Sequence, residues 1–207
     1  MPSLKPVFVH ISKNAGTSIR RTAGSAIKVA GHRTAASWVS QHGRSDPLFA
    51  VVRNPFDRVV SEYFYRHSRY LAGEKNPHLA NLDKSFDEWV MSTYRDGEYR
   101  TLSFFKEHGV PYNAVNMIDD CLIWFLPQTL WLTGENGELL VDETLRYETL
   151  DDDWESFARK HGINEQLVRH NYSSRKRDYN TYYSKESRVV VREYFKSDFD
   201  AFDYATD

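Results

Sequence analysis

Twice before Leu71 this chain runs from a short apolar strand straight into a turn and then a helix. Lys5 to Ile11 is rich in β-branched residues and reads as a buried strand. Ser12-Lys13-Asn14-Ala15-Gly16-Thr17-Ser18 follows as a turn of mostly small residues, and the spacing predicts a helix from about Thr17 to Ile27. Leu48 to Val52 is a second buried strand that leads into Arg53-Asn54-Pro55, where Asn54 suits an N-cap and Pro55 the first helical turn. Phe56, Val59, Val60, Tyr63 and Phe64 then recur at helical spacing, giving an amphipathic helix to about Arg69. Strand-turn-helix units of this kind predict an α/β fold with a P-loop-like, mostly parallel central sheet flanked by helices.

The remaining elements read less sharply. Phe86 to Tyr94 is expected to be helical, and Gln128 to Leu132 and Leu139 to Tyr147 to be strands around the Gly134-Glu135-Asn136-Gly137 turn. Asp151 to Lys160 reads as a helix with acids in its first turn and Gly162 as its stop. Ser184 to Phe195 is a last helix with Ser184 as N-cap and Val189, Val190, Tyr194 and Phe195 as packing residues. No repeat, low-complexity tract or Pro/Ser-rich linker divides the 207 residues, so residues 1–207 are expected to form a single domain.

Composition removes several function classes. A single cysteine, Cys121, excludes an intrachain disulfide framework and a Cys-rich zinc site, and neither H-E-x-x-H nor C-x-x-C occurs, so no metal site is expected. The longest greasy stretch, Cys121 to Leu132, is broken by Pro127, Gln128 and Thr129 and falls short of the roughly 20 apolar residues of a membrane span. Met1 leads into Val7-Phe8-Val9 without the longer apolar run of a secretion signal, which makes a soluble cytoplasmic protein the expectation. The pI of about 6.4 and the lack of a recognisable binding module argue against a nucleic-acid partner.

Net charge is −2, but its distribution is uneven. Up to Ser45 there are seven basic residues and no acidic one, and residues 169–192 add seven more basic residues against Asp178 and Glu186. Two basic ends around an acidic middle would suit an anion held where the ends meet, although ordinary surface scatter gives the same pattern.

The first turn has the chemistry of an anion cradle. Small residues let successive backbone N–H groups close around phosphate-like oxygens at a positive helix start, Thr17 and Ser18 add hydroxyls, and Lys13 adds a full charge. The ATPase pattern G-x-x-x-x-G-K-[ST] places its lysine after the second glycine, whereas here the lysine precedes the only glycine of the turn. Arg53, at the end of the second strand, lies where open α/β sheets bind ligands and can grip a phosphate bidentately; pairing with Asp57 is the structural alternative. Local physics alone does not single out Ser61.

Together the two segments, FVHISKNAGTSIR and FAVVRNPFDRVVSEYFY, resemble the cofactor motifs of sulfotransferases that use 3′-phosphoadenosine 5′-phosphosulfate (PAPS). The likeness is strongest to the carbohydrate-type branch, sulfotransferase family 2, which includes heparan sulfate 2-O-sulfotransferases. The resemblance implies that Lys13, Asn14, Ala15, Gly16, Thr17 and Ser18 wrap the 5′-phosphosulfate. It also implies that Arg53 and Ser61 hold the 3′-phosphate. Between the motifs, GHRTA resembles the family segment that carries the catalytic histidine, which makes His32 the expected base; an imidazole titrates near neutrality and suits that role. His10, in the first strand, reads as packed, while His42 and His67 match no motif.

The basic segment RHNYSSRKRDYNTYYSKE resembles the family's late loop over the nucleotide, with Ser174, Arg175 and Arg177 as expected contacts. Tyr172, Tyr179, Tyr182 and Tyr183 could stack on adenine or pack the last helix. LRYETLDDDWESFARKHGI resembles a strand-to-helix segment of the family with a supporting role. The implied reaction is sulfuryl transfer from PAPS to a hydroxyl of a carbohydrate, lipid or small molecule, releasing 3′-phosphoadenosine 5′-phosphate. Lys13 would stabilise the leaving group and no metal is required. An ATP-dependent kinase and a non-catalytic nucleotide-binding module are the alternatives. The acidic middle of the chain leans away from a heavily anionic polysaccharide acceptor.

Overall fold

A computed structural model describes residues 4–75, 79, 81–170 and 178–206. Its first elements are β1 (Val7–Val9), α1 (Gly16–Ala23), β2 (Lys28–Gly31), α2 (Ala35–His42), β3 (Leu48–Val52) and α3 (Pro55–Leu71). Then come α4 (Phe86–Val90), α5 (Leu102–Glu107), β4 (Met117–Ile118), β5 (Cys121–Leu122) and α6 (Gln128–Leu132). The last are β6 (Glu143–Arg146), α7 (Leu150–His161), α8 (Lys185–Tyr194) and α9 (Lys196–Phe202). They form two compact units, Met1–Asn54 with Gln128–Tyr172 and Pro55–Pro127 with Ser173–Asp207.

The first unit is an α/β layer structure. Its sheet has the order β2-β1-β3-β6 with every neighbouring pair parallel. Side chains alternate across the sheet, so Phe8, Phe49, Val51 and Leu145 share one face, where they bury Ile19 and Ala23 of α1 and Leu150, Trp154, Phe157 and Ala158 of α7. Val7, Val9, Leu48, Ala50 and Val52 alternate to the other face and are buried as well, the near-continuous apolar strand reading expected of a parallel sheet. The chain passes from β1 to β2 on one side, then returns to lay β3 on the other side of β1. That reversal makes β1 and β3 the switch point of the sheet, and because all strands are parallel their carboxyl ends share one edge.

The expected strand at Gln128 to Leu132 is instead the short helix α6. Five residues of mixed apolar character fit either period. Pro127 immediately precedes the helix, where its missing N–H costs no helical hydrogen bond, and Leu130 points outward while Gln128, Thr129, Trp131 and Leu132 are buried. The following strand is confined to Glu143–Arg146, and the Gly134–Gly137 turn is closed by a bridge between Thr133 and Leu139. β2 and α2 had no strong sequence signal; Thr34 starts α2 by accepting a hydrogen bond from Ser37 N.

In the second unit α3 carries a buried polar core. Arg66 Nε donates to Glu62 Oε1 at 2.6 Å, and Arg58 donates to the carbonyls of Leu126 and Trp124 at 2.8 and 3.1 Å. α4 opens on a Ser85–Glu88 capping box and continues into a π-helical turn, Met91–Arg95, so the helix expected over Phe86 to Tyr94 is present with a wider last turn. α8 starts as expected at Ser184, but its buried stripe is Ser187, Val191 and Phe195, four residues apart, and Val189 is exposed. Tyr183 packs against Phe56 and Phe86 and donates to Phe56 O, and Tyr182 packs on Phe64, which places both rings in helix packing. Among the described residues no helix is long and apolar enough to cross a membrane.

Candidate active site

The turn after β1 takes its shape from backbone conformations that side-chain-bearing residues rarely adopt. Lys13 and Ala15 both have positive φ, 65° and 57°, on either side of Asn14. Such residues persist only where the surroundings hold them, and they cluster at ligand clamps. Ala15 is also the N-cap of α1, with no side-chain cap and no acidic residue in the first turn. The opening N–H groups of α1 therefore stand at a positive helix end that presents no carboxylate, the arrangement that suits an anion. Gly16 is required here by contact, because a β-carbon built on it would run into the imidazole of His10.

What holds the loop is a buried amide that the sequence did not reveal. Asn14 is fully buried, and its Nδ2 donates to Val51 O at 2.7 Å and to Gln128 Oε1 at 2.6 Å. The same Gln128 oxygen accepts from Arg53 N at 2.9 Å, and Gln128 Nε2 donates to Arg53 O at 2.8 Å. One side chain at the start of α6 thus ties the turn after β1 to the end of β3. Arg53 completes the tie by donating from its guanidinium to Lys13 O at 2.7 Å.

Arg53 is 3% exposed, and its guanidinium lies 3.8 Å from the centroid of the Tyr147 ring. Tyr147 and Glu148 follow β6: Tyr147 N donates to Val52 O, and Glu148 Oε1 accepts from Asn54 N at 2.8 Å. The RYE segment therefore supports Arg53-Asn54 from the next strand, as its resemblance implied. Arg169, paired with Asp151, lies 6.0 Å from the same Tyr147 ring.

His32 follows the end of β2 and is exposed. Its ring lies 4.7 Å from that of His10 and edge-on to Trp131 at 6.4 Å. His10 also stacks on Phe8 at 5.5 Å. Burial, then the neighbouring His32, Arg20 and Lys13, push the His10 imidazole down to about 4, so it is uncharged near neutral pH. His32, Arg20 and Lys13 are all basic, and each opposes a charge on His10.

The structure thus brings Lys13, Asn14, Ala15, Gly16, Thr17, Ser18, Arg53 and His32 to the carboxyl edge of one parallel sheet. Within that set the Asn14 side chain is turned into the protein, which leaves its backbone to the loop. Ser18 Oγ accepts from His170 N at 2.9 Å, so its hydroxyl proton is what it has to donate. That bond also lays the approach to the late basic segment along α1, where Val168 N donates to Thr22 Oγ1. Ser61 sits half-buried on α3 in the second unit. Ser174, Arg175 and Arg177, together with Tyr172, lie outside the described residues. Gln128, Tyr147, Glu148 and the inward-facing His10 are the additions that sequence reading did not assign to the site.

Chemically, the start of α1 is suited to an anion, with the Arg53 guanidinium and the His32 imidazole on the same edge of the sheet. No curated protein and no solved structure gives a match. The model of the Sulfotransferase family, however, matches residues 4–205. With nearly the whole sequence matched, this chain belongs to the sulfotransferase family.

Proposed function

We propose that the protein transfers a sulfuryl group from PAPS to a hydroxyl of an acceptor, through residues 1–207 acting as one sulfotransferase domain. The observation that carries this reading is the strained, uncapped Lys13–Ser18 turn clamped by Gln128 to Arg53, with His32 on the same edge. The backbone N–H groups at the start of α1 take the oxygens of the 5′-phosphosulfate, and Lys13 faces the bridging oxygen as negative charge gathers on it. Arg53 takes the 3′-phosphate, and Ser61 is assigned to the same phosphate by resemblance alone. The acceptor oxygen attacks sulfur in line; the bond from sulfur to the bridging oxygen breaks as the new sulfur–oxygen bond forms. His32 removes the hydroxyl proton, and adenosine 3′,5′-bisphosphate leaves with the bridging electrons. Positioning and charge stabilisation suffice for such a transfer, as in phosphoryl transfer.

The test is release of adenosine 3′,5′-bisphosphate from PAPS across a panel of sugars, phenols and sterol alcohols. It is run beside calorimetric titration of the bisphosphate into the purified protein. His32→Ala is expected to lower turnover about 10²-fold with bisphosphate affinity nearly unchanged. No binding of the bisphosphate would end the PAPS assignment, and unchanged turnover in His32→Ala would remove His32 from the reaction.

A further inference from the structure

His10 was expected to be a packing residue of the first strand, and on one side it is, against Phe8. Its other contacts belong to the site. The imidazole occupies the space above Gly16 that a side chain would need, so it rests on the donor loop. The same ring meets that of His32 at 4.7 Å with a tilt of 32°. His32 is exposed and follows Gly31, which has a φ of 70°, so burial does little to fix the direction of its ring. Neighbouring surfaces contribute, and among them are His10 and the edge of Trp131.

We propose that His10 is a positioning residue for sulfuryl transfer: its imidazole is the spacer that sets the distance between the donor loop at Gly16 and the ring of His32. The proposal rests on His32 being the base. In-line transfer tolerates little error in that distance, since a displacement of about 1 Å can cost on the order of 10²-fold in rate. The groups that face His10 are Lys13 in the loop, Arg20 on α1 and His32 after β2, all of them basic. A spacer that took up a proton there would oppose the charge His32 gains when it accepts one. An uncharged ring avoids that conflict.

The experiment compares wild type, His10→Ala, His10→Phe, His32→Ala and the double variant His10→Ala/His32→Ala, each as the full chain. The probes are bisphosphate affinity and bisphosphate release from PAPS with the mixed acceptor panel, water serving as acceptor if nothing else does. His10→Ala should lower turnover about tenfold or more and leave bisphosphate affinity within about twofold, a split that loss of fold would not give. His10→Phe, which keeps a flat ring, should return turnover to within about threefold of wild type. The double variant should be no slower than His32→Ala, because His10 acts through His32. If His10→Ala does not fold, His10→Asn takes its place with the same expectation. Wild-type turnover in His10→Ala, no recovery in His10→Phe, or losses that multiply in the double variant would each overturn the spacer role. An active His32→Ala would instead sink the base assignment, a separate result.

Discussion

Replacing Gln128 with Ala tests the clamp at the heart of the site. Three hydrogen bonds disappear: those from Arg53 N and Asn14 Nδ2 to Oε1, and that from Nε2 to Arg53 O. Arg53 N and O are left in a fully buried setting, while Asn14 Nδ2 keeps its bond to Val51 O. At about 1–3 kcal/mol for each group stranded without a partner, the two Arg53 groups together give a loss of about 3 kcal/mol. For a chain of this size that corresponds to a fall in Tm of about 6–12 °C. The loop would also have to be re-ordered whenever nucleotide binds. With about 1–2 kcal/mol for each residue fixed again, bisphosphate affinity should drop about tenfold or more. Gln128→Glu keeps both acceptor bonds and, when protonated, can still donate its O–H to Arg53 O, so its melting temperature should fall between those of wild type and Gln128→Ala. Differential scanning calorimetry and isothermal titration with adenosine 3′,5′-bisphosphate make the comparison. A Tm within about 2 °C of wild type, with affinity within about twofold, would refute the idea that this amide holds the two motifs together.

Arg53→Ala should weaken adenosine 3′,5′-bisphosphate about tenfold to a hundredfold, the range for a lost charged hydrogen bond, as read by calorimetry. Adenosine 5′-phosphate should lose less, since it feels only the loss of support to the loop, including the bond to Lys13 O; equal losses for both nucleotides would reject the 3′-phosphate role. Stability should depend on pH through Glu143. Burial alone would raise its pKa, but hydrogen bonds from His161 and Lys160 outweigh that and hold the carboxyl below the ordinary glutamate value. A depressed carboxyl stabilises the fold above its unfolded pKa and loses that contribution as pH falls through the folded one. Glu143→Gln should therefore cost about 0.5–1 kcal/mol at pH 7 by urea denaturation, and the difference should vanish once pH falls below the folded-state pKa of Glu143.

Local chemistry made part of this site readable before any coordinates. Leu48–Val52 and the start of α3 at Pro55 fall where an apolar β-branched run meets an Asn-Pro start signal. The Lys13–Ser18 turn announces itself by its small residues, though nothing in those residue types foretells that Lys13 and Ala15 would take positive φ. Gln128 was invisible for a different reason. Its value lies in partners 75 and 114 residues away, and no local period encodes a side chain that bonds to a backbone N–H and a side-chain amide so distant in sequence. The apolar residues beside it suggested a strand, because five residues do not distinguish a period of two from one of 3.6. His10 lies just past the end of β1 and packs on Phe8, and only the approach of β2 beside β1 reveals the second surface it touches. The same limit hid Tyr147, whose stacking partner Arg53 is on the adjacent strand.

The interruption of the first unit has a consequence for how the protein is made. Its chain leaves after Asn54 and re-enters at Gln128, so β3 emerges with one edge unpaired until β6 arrives. Asn14 leaves the ribosome 114 residues ahead of the glutamine that secures it. At about 5–20 residues per second, that delay is about 6–23 s. From β3 to its partner β6 the wait is about 5–19 s at the same rate, during which the nascent polypeptide carries an open strand edge of the kind that recruits other strands. Shielding of the growing chain therefore matters most in that window, and prematurely terminated products will lack the Gln128 clamp on the Lys13–Ser18 turn.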